Sequence, residues 1–330
     1  MLAGISGTGK SELPRLYAYV GGMHFLATPV QPNWDSPQDL FGFFNYMDGR
    51  YKATDLLRAL AQSQRPRETG GFDDAMLLVL LDEMNLARIE LYFSELLSRL
   101  ESRRGVTASS REAHMPIDVG SGSEPFQLPL RRNVLYVGTM NEDETTQAIS
   151  DKVLDRGNVL TFPRPTHLQS RRLMQLPERT KALPLSVWAE WVREPADVLH
   201  IGVRDSLRSA LESVNEGMEH AQRAIGHRVL QSIEAYVANH PRTRRSVDDR
   251  DGTDQTWTYA FEDQLAQKIM PKLRGIDAQS DAGRATLSTI RGVMERYAPN
   301  LISDFDRAKR GDDAVFAWRS GHFLETTNNT

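Results

Sequence analysis

The chain contains no cysteine among its 330 residues. That excludes a disulfide framework and thiolate metal sites, and it suits a reducing cytosol. No apolar run approaches the ~18 residues of a membrane span, and no secretory signal pattern precedes the fold. The expectation is a cytoplasmic protein with no membrane partner. An excess of positive charge is also lacking. With 40 Lys and Arg against 44 Asp and Glu, the formal net charge is -4, so no global basic field draws in nucleic acid and any DNA contact has to be local. There is no internal repeat. What remains is ordinary globular material, 40% hydrophobic and 25% charged, long enough for about two domains.

The strongest signal lies at the start: Gly4-Ile5-Ser6-Gly7-Thr8-Gly9-Lys10-Ser11 fits the phosphate-loop pattern Gly-x4-Gly-Lys-Ser/Thr at every required position. Gly4, Gly7 and Gly9 allow the tight turn that aims backbone N–H groups, those of Ser6 and Thr8 included, at phosphates. Lys10 reaches the β- and γ-phosphates, and the Ser11 hydroxyl ligates Mg²⁺. The residues from Glu12 to Tyr19 read as a helix whose N-terminus adds a positive dipole end. A strand usually needs about five residues. Only Met1-Leu2-Ala3 precede Gly4, so further natural sequence is expected upstream.

The second signal is Ala75-Met76-Leu77-Leu78-Val79-Leu80-Leu81-Asp82-Glu83, an unbroken apolar run ending in two acids. It reads as a parallel strand buried on both faces, with its acids at the C-terminal edge where open α/β sheets bind ligands. Asp82 is the candidate to hold Mg²⁺, and Glu83 the candidate to polarise the attacking water. A third buried strand, Asn133 to Asn141, carries Asn141 at its tip, placed to orient that water. Leu154-Asp155-Arg156 reads as the end of a helix, and Arg156 either reaches a neighbouring subunit's γ-phosphate or satisfies helix carbonyls.

Elsewhere, His24 to Val30 reads as a strand, Ser36-Pro37 as a helix N-cap and first position, and residues 53–64 as a helix. The aromatics Phe41, Phe43, Phe44, Tyr46 and Tyr51 either pack beneath a loop or line a partner surface. The apolar positions Leu91, Phe93, Leu96, Leu97 and Leu100 give a helix one apolar face. Arg103 to Pro129 reads as a hairpin-like insertion, with Arg103, Arg104 and Arg111 as solvated surface charges or contacts to DNA or a neighbour. Val159 to Phe162 is a fifth strand candidate, closed by Pro163-Arg164-Pro165. Beyond it the chain looks mostly helical, clearest over Leu199–Glu219, Gly226–Ala238 and Phe261–Leu273. Trp188 and Trp191 are expected in a core, and Pro241 to Gln255 as a mobile loop.

Taken together, Gly4–Ser11, Asp82-Glu83, Asn141 and Arg156 resemble the Walker A, Walker B, sensor 1 and arginine-finger positions of the AAA+ ATPases. Within that family, Asp82-Glu83-Met84-Asn85-Leu86-Ala87-Arg88, Met140-Asn141-Glu142-Asp143 and Gln31 to Tyr51 look like the branch holding the motor subunit of McrBC-type restriction systems and the MoxR-type ATPases. In Gly226-His227-Arg228-Val229, Arg228 matches the lid arginine called sensor 2, and Phe261 to Gly275 resembles the helical lid. The resemblance does not place residues 276–330. Glu144 and Thr145 depart from the aspartate and arginine of the McrB motor pattern. The resemblance implies an α/β P-loop NTPase core over 1–163 with a parallel sheet, and a mainly helical lid and C-terminal region over 164–330. It further implies ATP or GTP as substrate with Mg²⁺, a homo-oligomeric and hexameric ring, and a separate nuclease subunit. DNA would be met only through that partner or an upstream domain. The alternatives are a MoxR-like ATPase that remodels partner proteins and a nucleotide-binding switch with little turnover.

Overall fold

The computed structural model describes residues 1–103, 110–120, 122–141, 150–162, 176, 178, 181–246, 256–310 and 314–318. By contacts the chain divides into one unit of residues 1–153 with 164–190, and a second of residues 154–163 with 191–330. No described helix is long and apolar enough to cross a membrane.

The first unit is built on β1 (Leu2–Gly4), α1 (Glu12–Val20), β2 (His24–Pro29), α2 (Pro37–Phe41), β3 (Gly42–Asn45), β4 (Arg50–Ala53), α3 (Asp55–Gln62), β5 (Leu77–Asp82), α4 (Ile89–Tyr92), α5 (Ser94–Ser102), β6 (His114–Ile117), β7 (Phe126–Pro129) and β8 (Val134–Asn141). The central sheet runs β2-β5-β8-β1, and Leu160–Thr161 (β9) is a further short strand. Every pairing among the first four is parallel. β5 is buried from Leu77 to Leu81, which explains its unbroken aliphatic run. It is an interior strand with β2 and β8 as neighbours, and its side chains are buried on both faces of the sheet. β2 lies at the edge and is only partly buried, and Pro29 ends it where a missing donor does least harm.

The strand order decides the position of the polar tips. β8 is inserted between β1 and β5, with Gly4 opposite Asn141 and Leu81 opposite Gly138. Residues from three separate parts of the chain therefore emerge side by side at one sheet edge.

The connecting elements follow local signals. Ser36 caps α2 with Pro37 in its first turn, and Asp39 Oδ2 accepts from the Ser36 N–H at 3.0 Å. Thr54 caps α3, its hydroxyl accepting from the Leu57 N–H at 3.2 Å. β3 and β4 form one antiparallel hairpin, and β6 and β7 another within the expected insertion. Among the aromatics near the first hairpin, Phe41 is buried while Phe43 and Tyr46 are exposed. The helix expected to carry Leu91 to Leu100 is broken at Phe93 into α4 and α5. The break turns Leu91 outward, whereas Phe93 and Leu96 are buried. Arg103 is tied to the carbonyls of Leu130 and Arg131, so it serves the insertion rather than solvent. Arg104 and Pro163-Arg164-Pro165 lie outside the described residues, as does the side chain of Arg111.

The second unit is helical: α6 (Asp151–Leu154) leads into it and α7 (Leu185–Trp191) reaches it, followed by α8 (Pro195–Val198), α9 (Ile201–His220), α10 (His227–Asn239), α11 (Pro241–Ser246), α12 (Trp257–Gln264), α13 (Asp281–Tyr297) and α14 (Ile302–Lys309). α12 passes directly into a π-helical turn at Leu265–Ile269 and a 3₁₀ turn at Met270–Leu273. Pro241–Ser246 is helical where a loop was expected, and residues 247–255 are not described. The stretch after 276 belongs to the same core. Ile290, Phe305, Phe316 and Trp318 pack with Leu207, Val214, Ile233 and Phe261 in one cluster. Trp188 packs against a smaller cluster with Met23 and Leu78, whereas Trp191 is 49% exposed.

Candidate active site

The phosphate-loop motif forms the turn between β1 and α1. Gly7 and Gly9 take φ of +81° and +85°, a region open to glycine and strained for other residues. Thr8 Oγ1 donates to the Ile5 carbonyl at 3.0 Å, and the N–H groups of Glu12 and Leu13 both return to the Gly9 carbonyl at 3.1 Å. Lys10 is buried, with Nζ donating to the carbonyls of Gly4 at 3.0 Å and Ile5 at 2.6 Å. Its ammonium thus lies inside the loop, on a flexible stem that can exchange carbonyls for phosphate oxygens.

The acids of β5 join this loop directly. Ser11 Oγ donates to Asp82 Oδ1 at 2.7 Å across 71 residues of sequence. Thr139 Oγ1 donates to the same oxygen at 2.5 Å and accepts from the Glu83 N–H at 2.9 Å. Glu83 has φ +57° and ψ +47°, a left-handed conformation costing a non-glycine residue roughly 1–2 kcal/mol. The strain turns the chain sharply off the strand, and Asn141 Nδ2 donates to Glu83 Oε1 at 3.0 Å.

A further layer holds these groups in place. Asn85 exchanges hydrogen bonds with the backbone of Asn141, its amide donating to the carbonyl at 2.8 Å and its Oδ1 accepting from the N–H at 3.3 Å. Tyr92, fully buried, donates its hydroxyl to the Met84 carbonyl at 2.9 Å, and burial holds its pKa above the usual phenol range. Sequence reasoning assigned no role to Thr139, Asn85 or Tyr92. For Thr139 the available signal was a hydroxyl residue two positions before the strand tip, inside an otherwise apolar run.

Ser11, Asp82, Glu83 and Asn141 are therefore brought together with the loop of Gly4, Ser6, Gly7, Thr8, Gly9 and Lys10. Arg156 and Arg228 belong to the second unit. Arg156 is half-buried in the turn after α6, and Arg228 is exposed in the first turn of α10. Glu142 to Thr145 lie outside the described residues. Among the described residues no group of at least three His, Cys, Asp or Glu is arranged to hold a metal. Ser11 and Asp82 offer instead a hydroxyl–carboxylate pair.

A family described as a domain of unknown function (DUF8727) matches residues 183–310. That span takes in Arg228 and most of the helical unit, but none of the phosphate-loop, β5 or β8 residues. No curated protein matches the chain. Among solved structures, a Cytophaga hutchinsonii protein provisionally named an ATPase is similar over 75% of this chain and 73% of its own. The identity is 15% and the TM-score 0.44.

Proposed function

We propose that the chain is a nucleoside triphosphatase of the AAA+ type that works as an oligomeric motor. The observation that carries this reading is the pair of hydrogen bonds Ser11–Asp82 and Asn141–Glu83 at one sheet edge beside the phosphate loop. The loop N–H groups and Lys10 bind the phosphates. Glu83 accepts a hydrogen bond from the attacking water and draws off its proton, while Asn141 holds the carboxylate in line. The oxygens of Ser11 and Asp82 suit Mg²⁺, which takes few protein ligands and completes its shell with phosphate oxygens and water. Bound there, the ion would neutralise charge on the phosphates. Arg156 is supplied to a neighbouring subunit's nucleotide in a ring, and Arg228 senses nucleotide from the helical unit. An arginine of this kind is worth ~10³–10⁵ in rate.

The motif Asp82 to Arg88 supports the McrB-like branch, since Asn85 has a defined job there in tying the acidic turn to β8. The finer proposal is the motor subunit of a restriction or phage-defence system, with a nuclease subunit as partner and DNA reached through that partner or another domain. The experiment is phosphate release from ATP and from GTP with Mg²⁺ across a range of protein concentrations. Turnover per chain that rises with concentration and vanishes in Lys10→Ala and Glu83→Gln is the expected result. Turnover independent of concentration argues against the motor assembly, and turnover surviving both variants sinks the site assignment. Stimulation by a protein client rather than by nuclease and DNA would place the chain with the MoxR-like remodelling ATPases.

A further inference from the structure

The segment that bears Arg156 is fastened from beneath by buried lysines of the helical unit. Lys268 is 2% exposed, and a lysine is seldom buried unless its charge is matched. Its Nζ donates to the carbonyls of Asp155 at 3.2 Å and Gly157 at 2.9 Å, the residues on either side of Arg156. Lys272, four residues on, pairs its ammonium with the Asp155 carboxylate. The Val159 N–H reaches the Gln267 carbonyl at 3.4 Å. Between α6 and β9 the segment has no regular secondary structure of its own, so these bonds define its path.

The helix carrying the lysines is irregular where they occur. Lys268 lies in the π-helical turn Leu265–Ile269, and Lys272 in the 3₁₀ turn that follows. Such departures cluster at functional sites. A merely structural explanation is weak. Methionine would fill the same volume with no charge to desolvate, and like charges four residues apart on one helix repel.

We infer that Lys268 and Lys272 are positioning residues that set the direction of Arg156. The inference rests on the reading of Arg156 as the arginine offered to a neighbour's nucleotide. Lys268→Met, Lys272→Met and Asp155→Asn are compared with Arg156→Ala and Lys10→Ala in phosphate release. Thermal midpoints and amide hydrogen exchange are followed on the same proteins. The expected result is a fall in kcat of about 10- to 100-fold, the scale of a misplaced group, with KM within about twofold of wild type. Lys268→Met combined with Arg156→Ala should be no slower than Arg156→Ala alone, because both act through one side chain. Amides of 155–159 should exchange faster in Lys268→Met while those of α9 and α13 stay protected.

Unchanged exchange over 155–159 overturns the proposal whatever the turnover. So does normal turnover in Asp155→Asn and Lys272→Met when Arg156→Ala is slow, and that pattern leaves the motor reading intact. Normal turnover in Arg156→Ala with a dead Lys10→Ala removes the trans-arginine role itself, and this proposal with it. If Lys268→Met fails to fold, the partly exposed Asp155 supplies the test from the other side.

Discussion

Asn141 Nδ2 lies 3.0 Å from Glu83 Oε1, although 58 residues separate them in the chain. The contact follows from the insertion of β8 beside β5, which brings the two strand tips level. The backbone of Asn141 is itself held by Asn85 through both its N–H and its carbonyl, which anchors the residue whose amide meets the acid.

That relationship predicts a graded response. Glu83→Gln keeps the size and the hydrogen bond but cannot take a proton, and turnover should fall by ~10²–10⁴, the usual worth of general base catalysis. Asn141→Ala leaves the base present but unaligned and should cost less. Nucleotide affinity should stay near wild type in both, as read by equilibrium titration beside single-turnover phosphate release. A larger loss in Asn141→Ala than in Glu83→Gln would reverse the assigned roles.

The left-handed backbone at Glu83 gives a prediction on stability alone. Glycine adopts φ near +57° without penalty, and alanine does not. Glu83→Gly should therefore be more stable than Glu83→Ala by about 1 kcal/mol, measured by urea unfolding, with both inactive. Ordinarily the order in a rigid element is the opposite. An alanine variant more stable than the glycine variant would mean that this turn is not left-handed in solution.

Much of this site was legible because its chemistry is written in contiguous residues. The glycine spacing of Gly4–Ser11 has few other uses, and the apolar run ending at Asp82-Glu83 admits little but a buried strand. The strand order was not legible, since parallel pairing places no local mark on either strand. Nothing in Val134 to Met140 says that it lies between β1 and β5. The supporting bonds of Thr139 and Asn85 depend on that order and were missed with it, whereas the bond from Tyr92 to the Met84 carbonyl is set by the fold of the chain after β5. In the helical unit the long amphipathic runs of α9 and α10 were readable within a few residues. The break at Phe93 and the helix at Pro241–Ser246 were not, because there packing and local propensity pull in different directions.

Glu262 provides a pH-dependent test in the helical unit. It is buried, with Asn300 Nδ2 donating to Oε2 at 2.9 Å and no hydrogen-bond partner for Oε1 among the described residues. Burial is the main cause raising its pKa, opposed by the bonds from Asn300 and Leu301 and helped by Asp263. A carboxyl whose pKa is higher folded than unfolded binds more protons in the native state. Its contribution is therefore present at low pH and is lost as pH rises from the ordinary value of 4.5 through the raised native value. Glu262→Gln should raise the thermal midpoint more at about pH 8 than at about pH 5. An equal shift at both would mean that the carboxyl is not raised in the folded state.

Gly138 is the last point at which packing reaches the chemistry. A Cβ built there would stand 1.7 Å from Met84 Sδ and 2.7 Å from its Cγ, and Met84 is fully enclosed. The side chain cannot simply swing into water, and its carbonyl is held by Tyr92. Gly138→Ala should therefore cost about 1–3 kcal/mol as an overpacked core. It should also slow turnover, because Met84 follows Glu83 and precedes Asn85. Met84→Ala alone leaves a cavity and should destabilise by about 2–5 kcal/mol. Combined, the new methyl group partly fills the space that the methionine vacates. The double variant should be more stable than the sum of the single losses by about 0.5–3 kcal/mol and should recover part of the lost turnover. Strict additivity in urea unfolding, or a neutral Gly138→Ala, would show that Met84 has somewhere else to go.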